Sequence, residues 1–433
     1  MSCDDTTGSK GMDREPRRGA KAGDSETLLM SAVRAGDRAR VEAALLDDSN
    51  WDERDEAFCL AVRTCSGDIA QLLLNHGADA GQCRPDELLP LRDAVDSGSP
   101  ALVEALLDLT IRERYPASEL MEVRALALRW LDTGIETELR RRTDSRDAVV
   151  HTRVQDDEYY SVGEFTLGRM TVRDGHGAIL TRLEELLGLR SSFEELMERA
   201  LLHTDQDHAA WGYATIHLAH RRDQAFWTAA AELRTHPDPL HRLFGAEVLR
   251  LTRLFDDSDE DAFAGPALEI FTDWSTHEPD LAVLTEVLVA LGEHADPRAD
   301  AALLRYASHP DARVRGVVAR GLGTWSESPA LSDDVREALL ALMTDTDTAV
   351  RRNACLTIGE GSDRDPVLTE AMAALLDDAD RQVQVAAVHG LALHDDGRCV
   401  AAARRLGPPR PGFLTEEHYL DTAWRYAWRH DGQ

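Results

Sequence analysis

Lysine is almost missing from this chain of 433 residues. Lys10 and Lys21 are the only two, so nearly all of its 48 basic residues are arginine. Together with the abundance of alanine, that bias points to a GC-rich bacterial genome. Also missing is any apolar run approaching the roughly 18 residues a membrane helix needs, and the N-terminus is polar, unlike a secretory signal. The six cysteines (Cys3, Cys59, Cys65, Cys83, Cys355, Cys399) form no CxxC pair and no framework spacing. They are expected to be reduced thiols packed as small apolar fillers, in a cytoplasmic protein, with no zinc bound. No HExxH occurs, which excludes the zinc-protease helix, and neither GxGxxG nor GxxxxGK[ST] occurs, which argues against nucleotide binding. No cofactor and no metal are expected.

Acid, by contrast, is abundant. Asp and Glu number 79 against 48 basic residues, a net charge of −31 spread along the folded body. Such a field repels phosphate backbones, so nucleic-acid binding over a broad face is not expected. A 43% hydrophobic content over this length is enough for a large core and for two domains.

What organises the chain is a repeat. His309 to Glu327 reads as a proline-aspartate turn, then a helix with Val314, Val317, Val318, Gly321 and Leu322 on one face, capped by Asp311. The pattern recurs from Asp347 and Asp380, and in weaker copies from Asp207, Asp238 and Asp280. The starts are spaced 31, 42, 31, 36 and 33 residues apart. Eleven residues after each Asp stands Leu218, Leu249, Leu291, Leu322, Ile358 or Leu391; seven after it stands Ala214, Gly245, Val287, Val318, Ala354 or Ala387. Positions four apart share a helix face, so these form the buried seam. A second amphipathic helix precedes each copy, as from Asp333 and from Pro366. Helix, turn and Asp-capped helix at this length resembles the HEAT repeat, closest at Asp311, Val314, Arg315 and Asp347, Val350, Arg351, over roughly 193–405. The resemblance implies that Asp and Arg of neighbouring repeats line up and tie the stack.

Upstream, Gly36, Gly67 and Gly98 recur at 31 residues, each between two short helices where a left-handed turn favours glycine. Leu72 to Ala80, LLLNHGADA, is the most specific piece of a resemblance to the ankyrin repeat; Thr27, Leu28, Leu29 and Met30 stand for that family's turn motif. A fourth helix pair is expected around Gly134. The chain thus divides into a disordered tail (1–24), ankyrin-like repeats (25–143), an irregular connector (144–190), HEAT-like repeats (191–406) and a C-terminal capping helix (407–433). The fold class is all-α, an α-solenoid of two arrays. The GPPRPG stretch at 407–412 stops the last repeat, and Leu420, Trp424 and Trp428 mark the stripe of the capping helix.

The connector carries alternating apolar residues, the acidic-aromatic run Asp156, Asp157, Glu158, Tyr159, Tyr160, and a DGHG turn around His176. It reads either as a degenerate repeat joining the arrays or as an insertion that carries specificity. His176 before a helix could hold an anion at the helix amides.

Two enzymatic relatives of this architecture are weighed against the chain. Deoxyhypusine hydroxylase resembles it but binds two irons through paired His-Glu motifs, and Arg315-Gly316 and Arg351-Arg352-Asn353 stand at the comparable places. HEAT-like glycosylases for alkylated DNA bases use a basic concave face with Trp, Asp and Arg. Trp211, Trp227, Trp274 and Trp325 could stack on bases, but the charge has the wrong sign, and core packing explains them better. The histidines His203, His208, His217, His220, His236 and His241 crowd the first HEAT-like copies, His217 and His220 on one helical face.

Resemblance to ankyrin and HEAT families implies a non-catalytic adaptor or regulator that holds a protein partner. The acidity favours a basic one, and an immunity-type inhibitor is one bacterial form. The residues expected to meet it are Arg313, Arg320, Arg352 and Glu360 on the inner helices, with Asp156, Asp157, Tyr159, Tyr160 and His176 in the connector. The alternative is an enzyme using the connector or the histidine cluster, metal-dependent or glycosylase-like.

Overall fold

The computed structural model describes residues 27–46, 51, 53–84, 86, 88–255, 262–323, 330–410 and 414–431. The expected tail at 1–24 and Trp325 lie outside these residues.

The described residues open with four helix pairs. They are α1 (Leu28–Ala35) with α2 (Arg38–Leu45), α3 (Arg54–Arg63) with α4 (Gly67–Asn75), α5 (Leu91–Ser97) with α6 (Pro100–Leu106), and α7 (Ala117–Thr133) with α8 (Ile135–Thr143). Gly36, Gly98 and Gly134 take positive φ in the turns of three of them (64°, 74° and 80°). Gly67 does not. It is the first residue of α4, and Cys65 adopts the left-handed conformation instead. Gly67 serves a different need, because a Cβ there would lie 2.7 Å from the backbone nitrogen of Leu102. The expectation of reduced cysteines also fails here. Cys59 on α3 and Cys83 just past α4 are 24 residues apart in sequence but are joined by a disulfide, with Cα atoms 5.9 Å apart. Cys355 and Cys399 are buried free thiols, as expected of fillers.

The connector is not a degenerate helix pair. It folds as an antiparallel three-stranded meander, β1 (Val150–Gln155), β2 (Ser161–Leu167) and β3 (Met170–Arg173), followed by α9 (His176–Leu186). β-branched and aromatic residues alternate along it, and Val154 pairs with Val162 and Phe165 with Val172 across the ladders. The α9 helix then packs on both α7 and the first long helix of the next array, so the two arrays share it.

That second array comprises α10 (Phe193–Leu201), α11 (Ala209–Arg221), α12 (Gln224–Glu232), α13 (Pro239–Leu254), α14 (Ala264–Ser275), α15 (Leu281–Gly292) and α16 (Pro297–Leu303). It continues through α17 (Ala312–Gly321), α18 (Asp333–Leu342), α19 (Thr348–Glu360), α20 (Pro366–Ala374), α21 (Arg381–Leu393), α22 (Arg398–Leu406) and α23 (Leu414–Asp431). Helices α11, α13, α15, α17, α19, α21 and α23 lie side by side as one layer, and the even-numbered helices cover them on the other side. The result is an all-α solenoid.

All twelve seam positions named above are buried. Apolar burial within the stack is the main favourable contribution such an array has. Five of the six aspartates cap their helices: Asp238, Asp280, Asp311, Asp347 and Asp380 accept from amides of the first turn. The first copy is shifted by one. His208 caps α11 through Nδ1, and Asp207 stays exposed. The α23 stripe is also only partly covered. Leu420 and Ala423 are buried, whereas Trp424 and Trp428 are 43% and 82% exposed.

Candidate functional site

The inner layer owes its register to a motif that sequence reading missed. Two residues before each of the six aspartates stands Asp205, His236, Glu278, His309, Asp345 or Asp378. Each of these side chains accepts the aspartate's backbone N–H at 2.8–3.2 Å. An acceptor in all six copies was the available signal. Four residues after the capping aspartate, three copies carry arginine, and each guanidinium reaches the acceptor position of the next repeat. The pairs are Arg242 with Glu278 (2.7 Å), Arg315 with Asp345 (2.7 Å) and Arg351 with Asp378 (2.8 Å). The same arginines donate to carbonyls of their own turn, as Arg315 does to His309 and Pro310. The tie therefore runs from arginine to the acid before the next capping residue, not to the cap itself. Arg351 beside Asp378, and Arg315 beside Asp345, hold those carboxyls below the usual range.

Of the residues expected on the inner face, Arg320 pairs with Glu360 across repeats at 2.8 Å, with both side chains partly open to solvent. Arg352 is half-buried on α19. Arg313 is exposed but turned back on its own cap, 2.8 Å from Asp311.

The connector residues separate into two kinds. Asp156 and His176 are inside. Asp156 is fully buried and accepts from Ser99 Oγ (2.7 Å), the Ala101 amide (2.7 Å) and the Arg173 guanidinium (2.9 Å), which fastens the meander to the start of α6. His176 is buried and stacks on Trp130 at 5.0 Å. Burial pulls its pKa down to about 4. It has no opening toward an anion, so that expectation is withdrawn. Asp157 and Tyr160 are half-buried and Tyr159 is exposed. They form the β1–β2 turn, which hangs over α11 and meets Tyr213, His217 and His220 across a pocket of about 400 Å³. Burial raises the Tyr160 phenol to about 12.

The histidine cluster does not converge as a whole. His217 Nε2 accepts from Arg221, and the His220 ring leans on Phe255 at 4.6 Å. Among the described residues, one trio does have metal-like spacing: Asp174, His203 and His208 hold ligand atoms within 4.8 Å of one another. Its hydrogen bonding assigns it another role. The Ala210 amide donates to His208 Nδ1, so the proton of that ring sits on Nε2 and is given to Asp174 at 2.9 Å. A metal on Nε2 would displace that proton and cost the helix its cap. The His203 and His208 rings also lie face to face, 3.4 Å apart at 10°, so no single ion can lie in both ring planes. The trio fastens the strand-to-helix turn of the connector to the start of α11. Trp211, Trp227 and Trp274 are buried; Trp211 and Trp274 donate to Glu247 (2.6 Å) and Glu278 (2.8 Å), which makes them parts of the stack.

Comparison with known proteins agrees with the geometry in part of the chain. Residues 301–392 match the family model described as HEAT repeats. The chain matches none of the curated proteins. An X-ray structure of the Escherichia coli protein YibA is similar at 14% identity, covering 55% of this chain and 98% of that one with a TM-score of 0.39. The family match and the paired helices support a HEAT-like repeat protein.

Proposed function

We propose that this chain is a non-catalytic adaptor or regulator that holds a basic protein partner on its stacked helices. The carrying observation is the inner layer: six successive capped helices, five capped by aspartate and the first by His208, with three of their junctions clamped by arginine, present Arg320, Arg352 and Glu360 along one face. A stack of this kind offers an extended surface held in fixed register. The net charge of −31 favours a partner of opposite sign through steering and charge complementarity. An immunity-type inhibitor that covers the site of a basic toxin is one form of this reading.

The N-terminal pairs are read here as divergent ankyrin-like repeats over 25–143, on the strength of the left-handed turns at Gly36 and Gly98. The HEAT-like array is read as 191–406, and the connector between them as the insertion that carries specificity. Purification of the tagged full chain from native lysate, followed by reconstitution with the identified protein, tests the function. The expected result is one basic protein bound in fixed stoichiometry and released by salt. Co-purifying nucleic acid, or turnover of a small molecule, overturns it.

A further inference from the structure

The pocket between connector and stack has a chemistry that neither array has alone. Tyr159 and Tyr160 come from the β1–β2 turn and Tyr213 from α11. The Tyr160 ring is central, 6.4 Å from Tyr159 and 5.8 Å from Tyr213, both pairs tilted by 59°. Their placement is built in. Asp157 Oδ1 accepts the amides of Tyr159 and Tyr160 at 2.7 Å each, which sets the turn that carries them. On α11, Gly212 makes room for the Tyr160 ring, which a Cβ at that position would overlap. Three carboxylates, Glu104, Asp157 and Glu185, line the same space against one guanidinium, that of Arg182. Arg182 lies between two of them, 3.0 Å from Glu104 and 2.7 Å from Glu185, so negative charge remains in excess. Tyr159 is 71% exposed at the rim, an aromatic the fold itself does not bury.

We propose that this pocket receives an arginine side chain of the partner, its guanidinium flat against a tyrosine face and its edge toward the carboxylates. The proposal rests on the protein-binding reading above. Arginine fits better than lysine for two reasons. A planar guanidinium stacks on a ring while still donating in-plane to an acid, and a compact ammonium would be loose in about 400 Å³ walled by tilted rings.

Fluorescence anisotropy of the full chain with a labelled Gly/Ser peptide carrying four arginines, and with its all-lysine counterpart, tests this. The arginine peptide is expected to bind more tightly than the lysine peptide by about threefold or more, and Tyr159→Ala to weaken it by about five- to tenfold. Gly212→Ala, which forces the Tyr160 ring out, is expected to do the same. Trp428→Ala removes another exposed aromatic, far along the chain, and should leave the affinity unchanged. Equal affinity in the native chain and Tyr159→Ala, or an equal loss in Trp428→Ala, overturns the pocket assignment while the basic-partner reading stands. No binding of either peptide to the native chain overturns both.

Discussion

Two inner-layer interfaces make a controlled comparison. Between α15 and α17, Gly292 meets Gly321, where a Cβ on Gly292 would lie 2.8 Å from the opposite Cα. Between α19 and α21, Gly359 meets Gly390 in the same way at 2.6 Å. Counted from the capping aspartates, the glycines occupy the same positions in both. The clamps differ. The α19–α21 interface carries Arg351 and Asp378, whereas the α15–α17 interface has Leu284 in place of the arginine and His309 in place of the acid. The substitution is paired along the whole array. Where the arginine is present, the next acceptor is Glu278, Asp345 or Asp378; where Trp211 or Leu284 replaces it, the next acceptor is His236 or His309. A carboxylate stands at that half-buried position only where a guanidinium neutralises it. A neutral imidazole accepts the same amide without bringing a charge. Glycine contact thus sets how closely the helices approach, and the clamp is an addition to it.

The comparison can be broken at its common element first. Gly292→Val sets a side chain against backbone that cannot give way, and should cost about 3 kcal/mol in urea unfolding. A loss below about 1 kcal/mol would mean the glycine contact is not what closes this interface. Next is acid. Burial holds the pKa of His176, His203, His294 and His389 at about 4 in the folded chain, below the free value near 6.5. Each therefore contributes stability that is present above pH 6.5 and is lost as pH falls from 6.5 to 4, about 3 kcal/mol for His176. The clamp carboxyls are also held down, but from a free value near 3.8, so the stability they contribute is lost only at lower pH. The cost of Arg351→Ala should therefore stay constant through that window and shrink only below about pH 4. A cost that already fades at pH 5 would place the clamp outside this account.

At neutral pH, Arg351→Ala strands the Asp378 charge and should cost about 2 kcal/mol, most of it recovered in the double variant with Asp378→Asn, which keeps an oxygen for the Asp380 amide. Smallest is the reverse construction. His309→Asp alone adds an unpaired charge, and combining it with Leu284→Arg should return about 1 kcal/mol of coupling in a double-mutant cycle. Zero coupling would show that the pairing of residue types along the array has no energetic basis.

The stack was legible because its causes are local. Capping aspartates, apolar residues seven and eleven positions on, and terminators such as Gly407 act within one or two helix turns of themselves. The register device was visible in principle as an acceptor before every aspartate, but its partner lies about thirty residues away. The connector was legible only in part, for a physical reason. A run of Asp156, Asp157, Glu158, Tyr159 and Tyr160 looks uniformly solvated, yet the fold buries the first completely and leaves the fourth open. That difference depends on Ser99, Ala101 and Arg173 arriving from elsewhere. The Cys59–Cys83 bond and the role of Gly67 against α6 were hidden for the same reason, since both depend on which helices become neighbours.

Hydrogen exchange along the Arg315→Ala variant tests most directly the claim that each repeat is held by its neighbours. The account predicts lost protection in α17, α19 and the helices beside them, with α1 to α6 unchanged. An equal loss from end to end would contradict it, because that is the behaviour of one cooperative core.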